Sequence, residues 1–124
     1  MEIEISNGDL VDKVSILSIK MQRISSPEKR VNIKQELDLL YEKMLAIGIT
    51  ETSDKYQRLL EINKNLWDIE DHIRVKESKQ EFDDVFVQLA RRVYFENDKR
   101  SEVKREINIE TGSRVIEEKE YVHY

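Results

Sequence analysis

Apolar residues recur along most of this chain at alternating steps of four and three, the spacing that lays them on one face of an α-helix. A first stripe runs Leu10, Val14, Leu17, Met21 and Ile24, and a second Ile33, Leu37, Leu40, Met44 and Ile47. A third comprises Leu59, Ile62, Leu66, Ile69 and Ile73, flanked by Tyr56, Leu60 and Trp67. The fourth begins with Phe82, Phe86, Leu89 and Val93, widened by Val85 and Ala90. The pattern predicts an all-α fold, a bundle of about four long amphipathic helices of roughly 18 to 30 residues that pack along these stripes.

The residues between the stripes agree with that reading. Ser6 with Asp9, Ser25 with Glu28 and Ser78 with Glu81 each place a hydroxyl before a helix start and an acid three residues on, a pairing that satisfies free backbone N–H groups. Pro27 sits where a first-turn proline is tolerated, and Gly48 stands just past the second stripe as a C-terminal cap would. A short turn around Gly48 to Ser53 is therefore expected between the second and third helices.

In the same phase, the fourth stripe extends through Glu96, Arg100, Val103 and Ile107, two of which are charged. Two outcomes fit: one helix from about Gln80 to Thr111 that ends at Gly112 and leaves the core midway, or a break near Glu96, Asn97 and Asp98. The continuous helix is the favoured one. At the chain ends, Met1, Ile3 and Ile5 alternate with acids, and Val115 to Val122 includes β-formers. Two outcomes fit there equally, a small β-strand pair formed by the termini or two frayed tails. Residues 1–124 form a single helical domain, with the tail 113–124 extended or a strand.

Composition narrows the chemistry. The 124 residues are 39% apolar and 38% charged with three Gly and one Pro, a balance that suits charged helices around one core. The absence of cysteine removes disulfides, thiolate metal sites and cysteine nucleophiles together. A formal net charge of −5 opposes phosphate backbones and anionic lipid. The start of the chain is acidic, and no stretch approaches the ~20 apolar residues of a membrane span. A cytoplasmic protein with neither a membrane nor a nucleic-acid partner is the expectation. The charge is uneven, with six bases against three acids over 88–105 and five acids against two bases over 106–124.

Two polar stripes are candidates for a site. In the third helix Asn63, Trp67, Glu70, Arg74 and Glu77 share one face beside the apolar one, where they line either a ligand site or, more commonly, a half-buried Trp shielded by ion pairs. In the fourth, Asn97, Arg100, Lys104 and Asn108 align with Tyr94 one turn earlier, and guanidinium, ammonium and amide donors together suit a phosphate or carboxylate. Glu96, Asp98 and Glu102 can neutralise the same cations, so a solvated charged face competes with that reading. The ligand-binding candidates are thus Trp67, Glu70, Arg74, Arg91, Tyr94, Asn97, Asp98, Arg100, Lys104 and Asn108. Metal chemistry is poorly served, because only His72 and His123 are present and the single acidic pair Asp68 and Asp71 offers few ligands. A phosphate-binding glycine loop, a nucleophile elbow and a catalytic triad are all missing, so no catalytic residue, metal or cofactor is assigned.

The segments SNGDLVDKVSILSIK, LWDIEDHIRVKE, LARRVYFENDKRSEVKREIN and GSRVIEEKEY together make the chain resemble a family of short bacterial and phage proteins known only by a domain-of-unknown-function label. The resemblance covers nearly the whole chain. It implies stand-alone proteins or appendages, some set near genes for sugar transfer to surface polysaccharide. The residues it makes recognisable are Asp12, Lys13, Lys20, Trp67, Glu70, Arg74, Arg91, Tyr94, Asn97, Asp98, Arg100, Lys104, Asn108, Glu117, Glu118 and Lys119, without a role for any of them.

The first functional expectation is a non-enzymatic interaction protein, a homo-oligomer or the partner of another helical protein. Its motive is that Val103 and Ile107 would run past the bundle and leave apolar surface uncovered. The alternative is an anion-binding module or accessory subunit for a phosphorylated or nucleotide-linked sugar, with Arg91, Asn97, Arg100 and Lys104 as donors. A divalent-metal hydrolase built on Asp68, Glu70 and Asp71 ranks third.

Overall fold

The first stripe becomes α1 (Asn7–Arg23) in the computed structural model, which describes residues 2–123. Its start is capped as the sequence suggests, with the Ser6 hydroxyl accepting the Asp9 N–H at 3.1 Å. The remaining stripes form α2 (Pro27–Ala46), α3 (Asp54–Ser78) and α4 (Asp84–Glu110). Gly48 and Gly112, at φ of 85° and 66°, take the left-handed conformation just past α2 and α4 that glycine adopts without strain.

Two of the expected caps lie elsewhere. The cap of α2 is Ser26 and not Ser25, since Pro27 opens the helix and holds the residue before it in an extended conformation. Ser78 is the last residue of α3 rather than the cap of α4. The chain turns through Gln80 at φ 56°, and α4 is capped by Asp83, which accepts the Phe86 N–H at 3.0 Å.

α4 is continuous through Glu96, Asn97 and Asp98. Leu89 and Val103, buried on either side, pin the flanking turns, and such packing outweighs the local preference of Asn and Asp for turns. The terminal strand pair is absent: among the described residues no strand forms. The Asn7 N–H donates to the Ser113 hydroxyl, after which the tail runs back along α4, held by Glu117 on Lys104 at 3.5 Å and Glu118 on Arg105 at 3.2 Å. Those anchors carry the tail along α4, and its one ion pair to residues 2–5 among the described residues is Arg114 on Glu4 at 3.8 Å.

α1 is the central helix. It packs against all three others, whereas α2 packs on α1 alone and α3 and α4 form an antiparallel hairpin. The core gathers Leu10, Val11 and Val14 of α1 with Met44, Tyr56, Leu59 and Ile62, and with Val103 and Ile107 of α4. Val103 and Ile107 are 1% and 0% exposed, so they sit in the centre of the core and do not run past it.

The end that does run past is the other one. α1 stops at Arg23, level with Trp67 and Asp68, where Arg23 pairs with Asp68 at 2.6 Å. From Trp67 to Ser78 the hairpin continues for eleven residues, about 16 Å of helix. On this projection Ile73 and Phe86 are half-buried, and Val75, Phe82, Val85 and Val87 are about half exposed. No helix among the described residues is long and apolar enough to cross a membrane.

Candidate functional site

Asp12 stands in the middle of the apolar run of α1, one turn after Gly8, and is 4% exposed. A carboxylate at that depth is tolerated only if it is paired and hydrogen-bonded. Arg100 of α4 supplies both, its Nε donating to Oδ1 at 2.9 Å and its Nη2 to Oδ2. Asn63 of α3 completes the junction, donating to Asp12 Oδ1 at 2.9 Å and to the Ser15 hydroxyl at 2.8 Å. The hydrogen bonds from Arg100 to Asp12 push the guanidinium's pKa up from its ordinary value.

One turn further along α4, Lys104 reaches Asp9 at 2.7 Å. Burial alone would push the Asp9 carboxyl up, but its bonds to Lys104 and Ser6 and the charge of Arg100 hold it below the usual carboxylate value. One turn beyond that, the Asn108 side chain accepts the Gly8 N–H at 2.6 Å, and Asn7 donates to the Thr111 hydroxyl at 2.9 Å. A Cβ at Gly8 would collide with the Lys104 backbone carbonyl, so glycine is what permits this approach of α1 to α4. Arg100, Lys104 and Asn108 therefore share a face, as their spacing indicates, and that face is occupied by α1.

Five of the other candidates line two separate hollows, whereas Arg74 and Arg91 line neither. Trp67, Glu70 and Asn97, with the edge of Arg100, line a shallow groove of about 340 Å³ where α1 ends, walled by Ile16, Ile19, Leu66 and Val93. The Arg23 guanidinium lies 5.8 Å from the centre of the Trp67 ring. Glu70 pairs with Arg74 at 3.0 Å, and both are exposed. Tyr94, Asn97 and Asp98 face a separate hollow of about 490 Å³ under the tail, beside Lys119 and Tyr121. Arg91 points away from both and stacks on Phe95 at 5.7 Å.

The sequence places Asn63 on the third-helix stripe and Asp12 among the residues of the resemblance, but it links neither to Arg100 and gives no sign of Ser15. The available signal was a lone acid inside the Leu10 to Val14 apolar run, which requires a buried cation opposite. Glu96 is also buried, at 8% exposure, and its Oε2 has no hydrogen-bond partner among the described residues, Lys99 lying 3.4 Å from Oε1. Among the described residues no group of three or more His, Asp or Glu is placed to hold a metal ion. Asp68 of the acidic pair is engaged by Arg23.

No curated protein and no solved structure matches the chain. A family model does, over residues 1–123, and the chain belongs to that family, DUF6165, a family of unknown function.

Proposed function

We propose that this is a non-enzymatic interaction protein that works through the projecting end of the α3–α4 hairpin, and that its first partner is a second copy of itself. One observation carries this reading: past Arg23 the hairpin has lost the helix that covers its seam, yet Ile73, Phe82, Phe86 and Val93 continue the apolar pattern. A two-helix layer cannot bury both of its faces alone, and an apolar face of this kind is stabilised by further helices.

The anion-binding alternative has less behind it. Arg100 would have to leave Asp12, and Lys104 would have to leave Asp9, before either could serve a phosphate. The first departure would strand the buried Asp12 carboxylate, and the second would take the cation from Asp9, whose side chain is 35% exposed.

Concentration-dependent melting tests the proposal. Association that involves only the folded state makes the melting temperature climb with protein concentration. A climb across a hundredfold concentration range, about 2 °C or more, is the expected result. An identical melting curve at every concentration would count against self-association.

A further inference from the structure

Taking self-association as its starting point, we infer that two copies pair as an antiparallel, two-fold four-helix bundle in which Phe82 of each enters the Trp67 groove of the other. Knob and socket are both present in one chain. Phe82 lies at the hairpin tip at 54% exposure, held upright by an edge-on contact with Phe86 at 5.3 Å and 85°. The socket is apolar at Ile16, Leu66, Trp67 and Val93, with Glu70 and Arg100 also lining it, and lies against the second half of α1.

Their separation suits a two-fold arrangement. Phe82 sits in the turn just before α4, and from Asp84 to Val93 that helix rises about 14 Å. Laid antiparallel, two hairpins bring each tip level with the other's groove, while the Val87 to Ala90 turn crosses its own copy at the axis. Ala90 keeps that crossing close. The charges also agree. The tip, residues 76–84, carries four acids against two bases, and the corner from 20 to 30, where α1 passes into α2, carries four bases against one acid. In the pair each acidic tip meets the basic corner of the other copy, an arrangement that favours the antiparallel register over the parallel one. Because the copy that receives a knob returns its own to the same partner about the two-fold axis, the contact closes at two and does not propagate.

The experiment uses the full chain. Phe82→Asp is expected to weaken the dimer at least about 100-fold in sedimentation equilibrium, since the burial of two rings is lost and a carboxylate stands in place of each, with helix content and melting of the monomer unchanged. The chain has no cysteine, so Phe82→Cys with Val93→Cys provides an independent measurement. Position 82 lies in the turn before α4 and position 93 nine residues past the first residue of that helix, too far apart to bridge within a chain, so a disulfide between them reports the contact between copies. Mild oxidation should give covalent dimers of the double variant and none of either single variant. A wild type that is monomeric throughout removes the self-association reading itself. A dimeric wild type that keeps its affinity with Phe82→Asp, or fails to cross-link through 82 and 93, overturns this geometry and leaves self-association standing.

Discussion

Asp12 and Arg100 illustrate what polar residues do in this fold at the scale of a side chain. The carboxylate is buried and the guanidinium, 29% exposed in its side chain, is its only cationic partner among the described residues. Arg100→Ala leaves that charge buried with only the Asn63 amide against it, and should lower stability at neutral pH by about 3 kcal/mol in urea denaturation. A change within experimental error would mean that Asp12 is solvated after all. Asp9 gives a pH signature of the same junction. Its folded value is depressed below 3.8, so the stability it contributes is present above that value and is lost as pH falls through the folded one. Asp9→Asn should therefore flatten the fall of melting temperature below about pH 4, measured against wild type in the same buffers.

These residues also mark what was legible in the chain. The common phase of Asn97, Arg100, Lys104 and Asn108 is plain from their spacing, and they do share a face. What that face meets was hidden, because Asp12 lies 88 residues away from Arg100 and no local rule links them. Cations that look ready for a phosphate in one helix are internal partners once α1 is laid beside it.

At the scale of elements, the apolar periods located all four helices, since a 3.6-residue repeat is a property of the segment itself. Ends were harder. Ser25 and Ser26 differ only in their distance from Pro27, and Ser78 looked like a cap although the α3 stripe holds the helix to that residue. The termini carry β-forming residues, yet side-chain anchors on α4 decide where the tail goes. Gly8 is the element-scale feature with the sharpest consequence. It allows α1 to meet α4 closely enough for Asn108 to accept its N–H, and the atom a new Cβ would meet is backbone, which cannot swing aside. Gly8→Ala should cost about 2 kcal/mol despite its better helix propensity, read from chemical denaturation. A stabilised variant would show that the two helices can separate cheaply.

At the scale of the whole molecule, the two ends of the bundle differ. One end is closed by the Asn7, Gly8, Asn108 and Thr111 contacts, and the core there is complete. The other end is a bare hairpin, because α1 has 17 residues against 25 and 27 in α3 and α4. Stripe lengths alone hinted at this mismatch but pointed to the wrong end, with Val103 and Ile107 as the overhang. The reason is the antiparallel course of α1 and α4, which sets the start of one beside the end of the other, a relation that no single stripe records. Sedimentation equilibrium of the unmodified chain is the most direct test of what the open end does. Covered by a second copy, it gives a mass of twice 14.8 kDa that falls to the single value on dilution. A mass of 14.8 kDa at every concentration would contradict the account.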